Sequence, residues 1–288
     1  MTNVMKKIGG ALLSGALVLA LTGCGGGAKQ APPAGGDSTQ ISGTVTASGS
    51  TALLPLATAA AEQFQDKHSK VTVNVSGGGS FNGLTQVASG AVQIGNSDVE
   101  ATGDAGKGLV DHKVAVAPFM IIINKDVTAT DVTLDQLARI LKGEITNWKD
   151  VGGKDAKITV ISRQQSSGSR ATVVATVLKG QGDITKEAVV QDSNGKVLDS
   201  VTSTPGSVGY VDAPYYKADK VGALKVGGVV YSPEAVTSGK WPIFAYEHMY
   251  TKGEPTGATK AFLDYILSKE FQESTVEKQG FIPVSKMK

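Results

Sequence analysis

One cysteine, three histidines and almost no net charge mark this 288-residue chain, which carries 28 lysines and arginines against 26 aspartates and glutamates. Each shortage excludes something. A single thiol, Cys24, rules out an intrachain disulfide and leaves a reactive or intermolecular thiol, or a modification. His68, His112 and His248 stand apart from the serine turns in sequence, and no Gly-x-Ser-x-Gly elbow occurs. The nucleophile and base of a serine hydrolase or phosphatase are therefore missing as a recognisable pair, which argues against an enzyme. Near-neutral charge excludes a general polyanion-binding surface and with it nucleic acid, so any anion site has to be local. No internal repeat of fixed period is found.

Long apolar runs are also lacking. The stretch from Ile8 to Leu21 is broken by glycines and a serine and is too short to span a bilayer comfortably. With Lys6 and Lys7 before it, it reads as a signal peptide. It ends in Leu21-Thr22-Gly23-Cys24, which resembles the lipobox of bacterial lipoproteins and implies removal of 1–23 with lipid attached to Cys24. That puts the protein outside the cytoplasm, anchored to the cell membrane. Loss of Lys6 and Lys7 leaves 26 basic residues against 26 acidic ones. Residues 24–40, rich in Gly, Ala, Pro and Gln, are expected to form a flexible tether. The remaining ~250 residues suffice for two compact lobes.

From Ile41 onward, short β-branched runs alternate with helical ones, which predicts an α/β fold with helices covering sheets. Strands are expected at Ile41–Thr46, Val71–Val75, Val92–Asp98, Ile158–Ile161, Ser207–Val211, Leu224–Val230 and Pro242–Ala245. Helical spacing appears at Leu53–Phe64, Leu84–Ala88, Leu134–Leu141, Thr256–Ser268 and Glu270–Lys278. Val114–Asn124 is apolar and long enough to leave one lobe and enter the next.

The most informative stretch is Arg163-Gln164-Gln165-Ser166-Ser167-Gly168-Ser169-Arg170, which sets a guanidinium, hydroxyls and a glycine just before a helical run. A helix start has backbone N–H groups without intrahelical partners and a partial positive charge, and glycine lets the backbone approach closely. Arginine adds a planar two-pronged donor. Ser-rich turns also serve as plain helix caps, so one copy proves little. The device recurs at Gly49-Ser50-Thr51 and at Ser76-Gly77-Gly78-Gly79-Ser80, each between a strand and a helix. Three helix starts can thus converge on one oxyanion. Ile94-Gly95-Asn96-Ser97-Asp98 departs from the pattern by ending a strand in a carboxylate, which suits an anion only if that anion carries a proton to donate. The plainer reading of Asp98 is a turn cap.

Together, Gly49-Ser50-Thr51-Ala52-Leu53-Leu54-Pro55, Gly79-Ser80, Ile94-Gly95-Asn96-Ser97-Asp98 and Arg163-x-x-x-Ser167-Gly168-Ser169 resemble the phosphate-binding proteins of phosphate-specific ABC transporters, the PstS family. Gly143-Glu144-Ile145-Thr146-Asn147-Trp148, Pro205-Gly206-Ser207-Val208-Gly209-Tyr210 and Gln279-Gly280-Phe281-Ile282-Pro283 are similar to family landmarks in the expected order, so the likeness spans everything after the tether. The resemblance implies a two-lobed periplasmic-binding-protein fold, with lobe 1 from 41–120 and 240–288, lobe 2 from 121–239, and phosphate held in the cleft between. It assigns Ser50, Thr51, Ala52, Ser80, Asp98, Arg163, Ser167, Gly168 and Ser169 to the anion, Asp98 as proton acceptor. Implied partners are inorganic phosphate and the permease subunits of an ABC transporter, with the receptor a monomer on a lipid anchor and no cofactor or metal. Gln165 stands where some members have an acid, which removes a local ion pair to Arg163, and Ser169 stands where threonine is usual. The rival readings are a receptor for another oxyanion, sulfate or molybdate, and a phosphate-sensing or adhesion lipoprotein outside transport.

Overall fold

In the computed structural model, residues 41–287 are described; Cys24, the signal run and the tether lie outside the described residues. Strand β1 (Gly43–Gly49) buries Val45 and Ala47 and pairs in parallel with β2 (Val71–Ser76) and β3 (Ile94–Ser97). It leads into α1 (Leu54–Lys67), where Pro55 sits in the first turn and forfeits no helical hydrogen bond. Leu56, Ala57, Ala60, Ala61 and Phe64 form its buried stripe. Between β2 and β3 lies α2 (Ser80–Ser89), closed by Gly90 in the left-handed region at φ 79°. This helix begins at Ser80 rather than at Leu84. The polar Ser80, Asn82 and Thr85 blur its apolar periodicity, yet Ser80 itself is fully buried.

The long strand β4 (Leu109–Ile123) is buried from Val114 to its end. Over Leu109–Pro118 it pairs antiparallel with β11 (Phe244–Lys252), and over Phe119–Ile123 with β8 (Ser207–Asp212). It therefore passes from one half of the sheet to the other, as its length and apolarity predict. In the second half, β8 pairs in parallel with β6 (Thr159–Arg163), β6 with β7 (Val189–Gln191), and the short β9 (Gly222–Ala223) lies against β4. The strand order is β2-β1-β3-β11-β4-β8-β6-β7.

Helices α3 (Leu134–Leu141), α4 (Gly168–Val173), α5 (Asn194–Ser203), α6 (Pro233–Thr237), α7 (Gly257–Leu267) and α8 (Lys269–Phe271) complete the fold. A capping box defines α3: Thr133 Oγ1 accepts from the Gln136 N–H at 3.1 Å and Gln136 Oε1 accepts from the Thr133 N–H at 2.8 Å. Trp148 and Trp241 pack inside, their indole N–H groups donating to the carbonyls of Gly206 (2.8 Å) and Phe119 (3.0 Å).

Two strand expectations change. Leu224–Val230 shrinks to β10 (Lys225–Val226), paired with β5 (Asp131–Val132), because Gly227 and Gly228 take φ of 61° and 77° and turn the chain. Pro242–Ala245 catches only the start of β11, which runs on to Lys252. Glu247 and His248 hid it, since two adjacent polar residues do not read as sheet interior, yet they are 0% and 1% exposed.

Candidate functional site

The carboxyl ends of β1, β3 and β6 meet, which is where open α/β sheets place their ligands. The turn after β1 presents Ser50, whose hydroxyl accepts from the Leu53 N–H at 3.0 Å, and then Thr51 and Ala52. Thr51 is gripped from the other half of the sheet. Its Oγ1 accepts from Arg163 Nη2 at 3.1 Å and Asn194 Nδ2 at 3.2 Å, and its carbonyl from the Tyr215 hydroxyl at 2.7 Å. Ser80, at the start of α2, donates to Asp98 Oδ1 at 3.1 Å and accepts from the Asp98 N–H at 3.0 Å. Ser169 donates to Asp98 Oδ2 at 2.8 Å.

Ser167 caps α4 by accepting the Arg170 N–H at 3.2 Å, so the cap reading and membership of the cluster both hold. At Gly168 no side chain fits, because a Cβ there would stand 2.3 Å from Ser80 Oγ and 2.9 Å from Asp98 Cβ. The structure thus brings all nine sequence-picked residues together. Ser50, Thr51, Ala52, Ser80, Asp98, Arg163, Ser167 and Ser169 are each at most 5% exposed, and Gly168 is buried with them. Cys24 lies outside the described residues. The enclosure is direct, through these hydrogen bonds and the Phe81 N–H on the Ser166 carbonyl at 3.2 Å. A cavity of about 620 Å³, lined by Lys113, Lys269, Glu273 and Lys286 among others, has none of the cluster on its walls.

Arg163 ends β6 and is 2% exposed; besides Thr51 it donates through Nη2 to the Asp192 carbonyl at 3.0 Å, while its buried Nε and Nη1 make no hydrogen bond. Burial lowers its pKa from the usual arginine value, with Asp98 opposing, yet a guanidinium stays protonated throughout the physiological range. Among the described residues it forms no ion pair with an acid. Gln165 instead accepts from Arg170 Nη1 at 3.0 Å, and Arg170 also pairs with Asp183 at 2.6 Å, which turns this second arginine away from the cluster. Tyr210 is fully buried, its hydroxyl bonded to Ser162 Oγ at 3.0 Å and to the Arg163 N–H at 3.2 Å, and burial raises its pKa.

Four participants escape the sequence motifs. Asn194 opens α5, donating to Thr51 and accepting the Asp212 N–H at 3.1 Å. Its signal was legible: Ser193-Asn194-Gly195 between β7 and an apolar helix is a further copy of the hydroxyl-and-glycine turn. Asp212 ends β8 as Asp98 follows β3, a strand closing on an acid. Tyr215 follows Asp212 by three residues. Glu247 carried no signal beyond being an acid in an otherwise apolar strand. Asp212 and Glu247 are both 0% exposed and no oxygen of either carboxyl has a hydrogen-bond partner. Burial first, and the negative neighbour Asp98 second, raise both pKa values well above the ordinary carboxylate range.

Chemically, the cluster offers a guanidinium with two unpartnered nitrogens, several hydroxyls, backbone N–H groups at helix starts, and a carboxylate that can only accept. That set fits a small oxyanion bearing a proton. The histidines are engaged elsewhere: His248 Nδ1 lies 2.8 Å from Asp111 Oδ1, His112 Nε2 lies 3.2 Å from Thr251 Oγ1, and the His68 ring packs 4.4 Å from that of Phe64.

Comparison with known proteins places the chain. Residues 34–270 match the PBP superfamily domain. The phosphate-binding protein PstS of Bacillus subtilis (strain 168) is 44% identical over 284 residues, covering 96% of this chain and 94% of that protein. PstS of Borreliella burgdorferi is 29% identical, with 76% of this chain and 81% of that protein aligned. Among solved structures, a candidate phosphate ABC transporter substrate-binding protein from Clostridium perfringens, crystallised with bound phosphate, superposes with a TM-score of 0.79 and 31% identity. It covers 84% of this chain and 100% of the other. An ABC-type phosphate transport receptor from Vibrio cholerae matches with a TM-score of 0.69, 25% identity, and coverage of 83% and 99%.

Proposed function

The chain belongs to the PBP superfamily and, within it, to the PstS family of phosphate-binding proteins, and from that membership we propose that it binds inorganic phosphate outside the cytoplasm and delivers it to an ABC transporter. The observation that carries this reading is the presence together of Arg163, with two buried unpartnered nitrogens, and Asp98, a carboxylate reached by hydroxyl donors from both halves of the sheet.

Phosphate accepts from Arg163 Nε and Nη1, from the hydroxyls of Ser50, Thr51 and Ser167, and from backbone N–H groups near Ala52 and Gly168, while Ser80 and Ser169 border the anion and give their single hydroxyl protons to Asp98. Its own proton goes to Asp98. A fully ionised tetrahedral anion such as sulfate has no proton there and would set two acceptors against each other, which disfavours the sulfate and molybdate alternative. The two halves of the sheet act as lobes, 41–120 with 240–288 and 121–239, joined through β4, which pairs with β11 in the first and with β8 in the second. Ligands from both lobes make closure the state that phosphate stabilises, and the closed form is what permease subunits recognise.

The lipid on Cys24 holds the receptor at the membrane through the 24–40 tether. No helix of the described residues is long and apolar enough to cross a membrane. The same geometry supports binding rather than catalysis, since the hydrogen bonds of His112 and His248 run to Thr251 and Asp111 rather than to a serine of the cluster. Calorimetric titration of the chain begun after Cys24 with phosphate, arsenate, sulfate and molybdate tests the reading. Phosphate and arsenate should bind, and equal binding of sulfate would remove it.

A further inference from the structure

Three carboxyl groups and one guanidinium are enclosed at this site. Asp98 follows β3, Asp212 ends β8 and Glu247 lies in β11, beside a register shift between Glu247 and His248 that interrupts the pairing with β4. A bulge of this kind re-aims a side chain. Glu247 is 0% exposed and precedes His248, which pairs with Ser97 across antiparallel β11 and β3, so it lies on the Asp98 side of that pair; Ser50, Asp98 and Asp212 are the polar groups around it, and no donor N–H is bonded to either of its oxygens. Tyr215 also senses its charge. Little else is near to balance it: α2 carries no titratable residue, and Arg170, the only one in α4, pairs with Asp183.

Were all three acids ionised, Arg163 would leave two negative charges uncompensated in a dry interior, a costly arrangement in itself and a repulsive one for any anion. Two neutral acids leave Asp98 balanced against Arg163. Hydrogen-bond capacity agrees. A carboxylate has about four lone-pair sites; on Asp98, Ser80 and Ser169 occupy two, leaving one for the ligand's proton and one for another donor. A buried acid O–H must in turn find an acceptor.

We propose that Glu247 stands in the site as a neutral carboxylic acid that gives its hydrogen bond to Asp98, a positioning residue that prepares the proton acceptor without touching the anion. This rests on the phosphate reading above. Asp98 is thereby held as an acceptor by donors on three sides, and only an anion that brings its own proton completes the set.

The test compares the purified full-length protein with Glu247→Gln and Glu247→Ala. Glutamine keeps a neutral donor, whereas alanine removes it, so Glu247→Gln should hold phosphate within a few-fold of wild type and Glu247→Ala should lose at least about tenfold. In ligand-free infrared difference spectra, wild type minus Glu247→Gln should contain the stretch of a neutral carboxyl. Loss of carboxylate bands instead, equal weakening by both substitutions, or unchanged affinity in Glu247→Ala would each overturn the proposal. If the wild-type protein takes no phosphate, the phosphate reading fails, while the infrared spectrum still decides the state of Glu247.

Discussion

Ser169 donates its hydroxyl to Oδ2 of Asp98 at 2.8 Å, tying residues 71 positions apart and two halves of one sheet through a single acid. Ser169→Ala should weaken phosphate binding by about 1.5 to 3 kcal/mol, the range for a hydrogen bond to a charged group. Ser169→Thr, which keeps the hydroxyl, should bind like wild type. Calorimetry on the two variants checks both, and equal affinities would place Ser169 outside the site.

Arg163→Lys should cost about 2 to 4 kcal/mol of binding, because a point charge cannot replace a planar fork whose Nε and Nη1 are buried and otherwise unpartnered. Titration with phosphate measures it. Unchanged affinity would remove Arg163 from the anion's contacts.

Cys24→Ala should release the protein from the membrane and leave phosphate affinity intact, since anchor and cluster are separated by the 24–40 segment. Feeding cells a tagged fatty acid and following the label checks it. An unlabelled wild-type protein would contradict the anchor.

Asp212→Asn should alter the pH dependence of stability. Burial and Asp98 raise the Asp212 pKa in the folded state, so folded protein keeps a proton that unfolded protein releases above about pH 4. Its favourable contribution is whole below that pH and is lost as pH climbs toward the raised value. Wild type should therefore lose stability relative to Asp212→Asn on going from acid to neutral pH, with a slope of at most about 1.4 kcal/mol per pH unit. Denaturant titrations of both proteins across that range read the difference. A constant gap would mean that Asp212 is ionised when folded.

How far the chain could be read beforehand depended on whether function and local periodicity coincided. Turns that join a strand to a helix announce themselves through glycine and hydroxyl residues, and Ser50, Ser80 and Ser167 were visible for that reason. Arg163 and Asp98 were visible because one ends a clear strand and the other follows one. Asn194 carries the same signature, in Ser193-Asn194-Gly195. Glu247 was hidden on other grounds: β11 buries Glu247, His248, Met249, Tyr250 and Thr251 in succession, polar and apolar alike, so the strand lacks the alternation that would have revealed it. Its burial depends on neighbours in β3, β4 and β8 that no local window contains.

The central claim is that Asp98 reads the proton on phosphate, and the most direct measurement is the ratio of phosphate to sulfate affinity in wild type and Asp98→Asn, by calorimetry under one set of conditions. Wild type should prefer phosphate by on the order of 10⁴-fold or more, as sites built on a substrate hydrogen bond reject analogues that lack it. Asp98→Asn should narrow that ratio, because an amide can donate to the oxygen that a carboxylate repels. Sulfate binding as tight as phosphate in wild type, or a ratio untouched by Asp98→Asn, would contradict the claim.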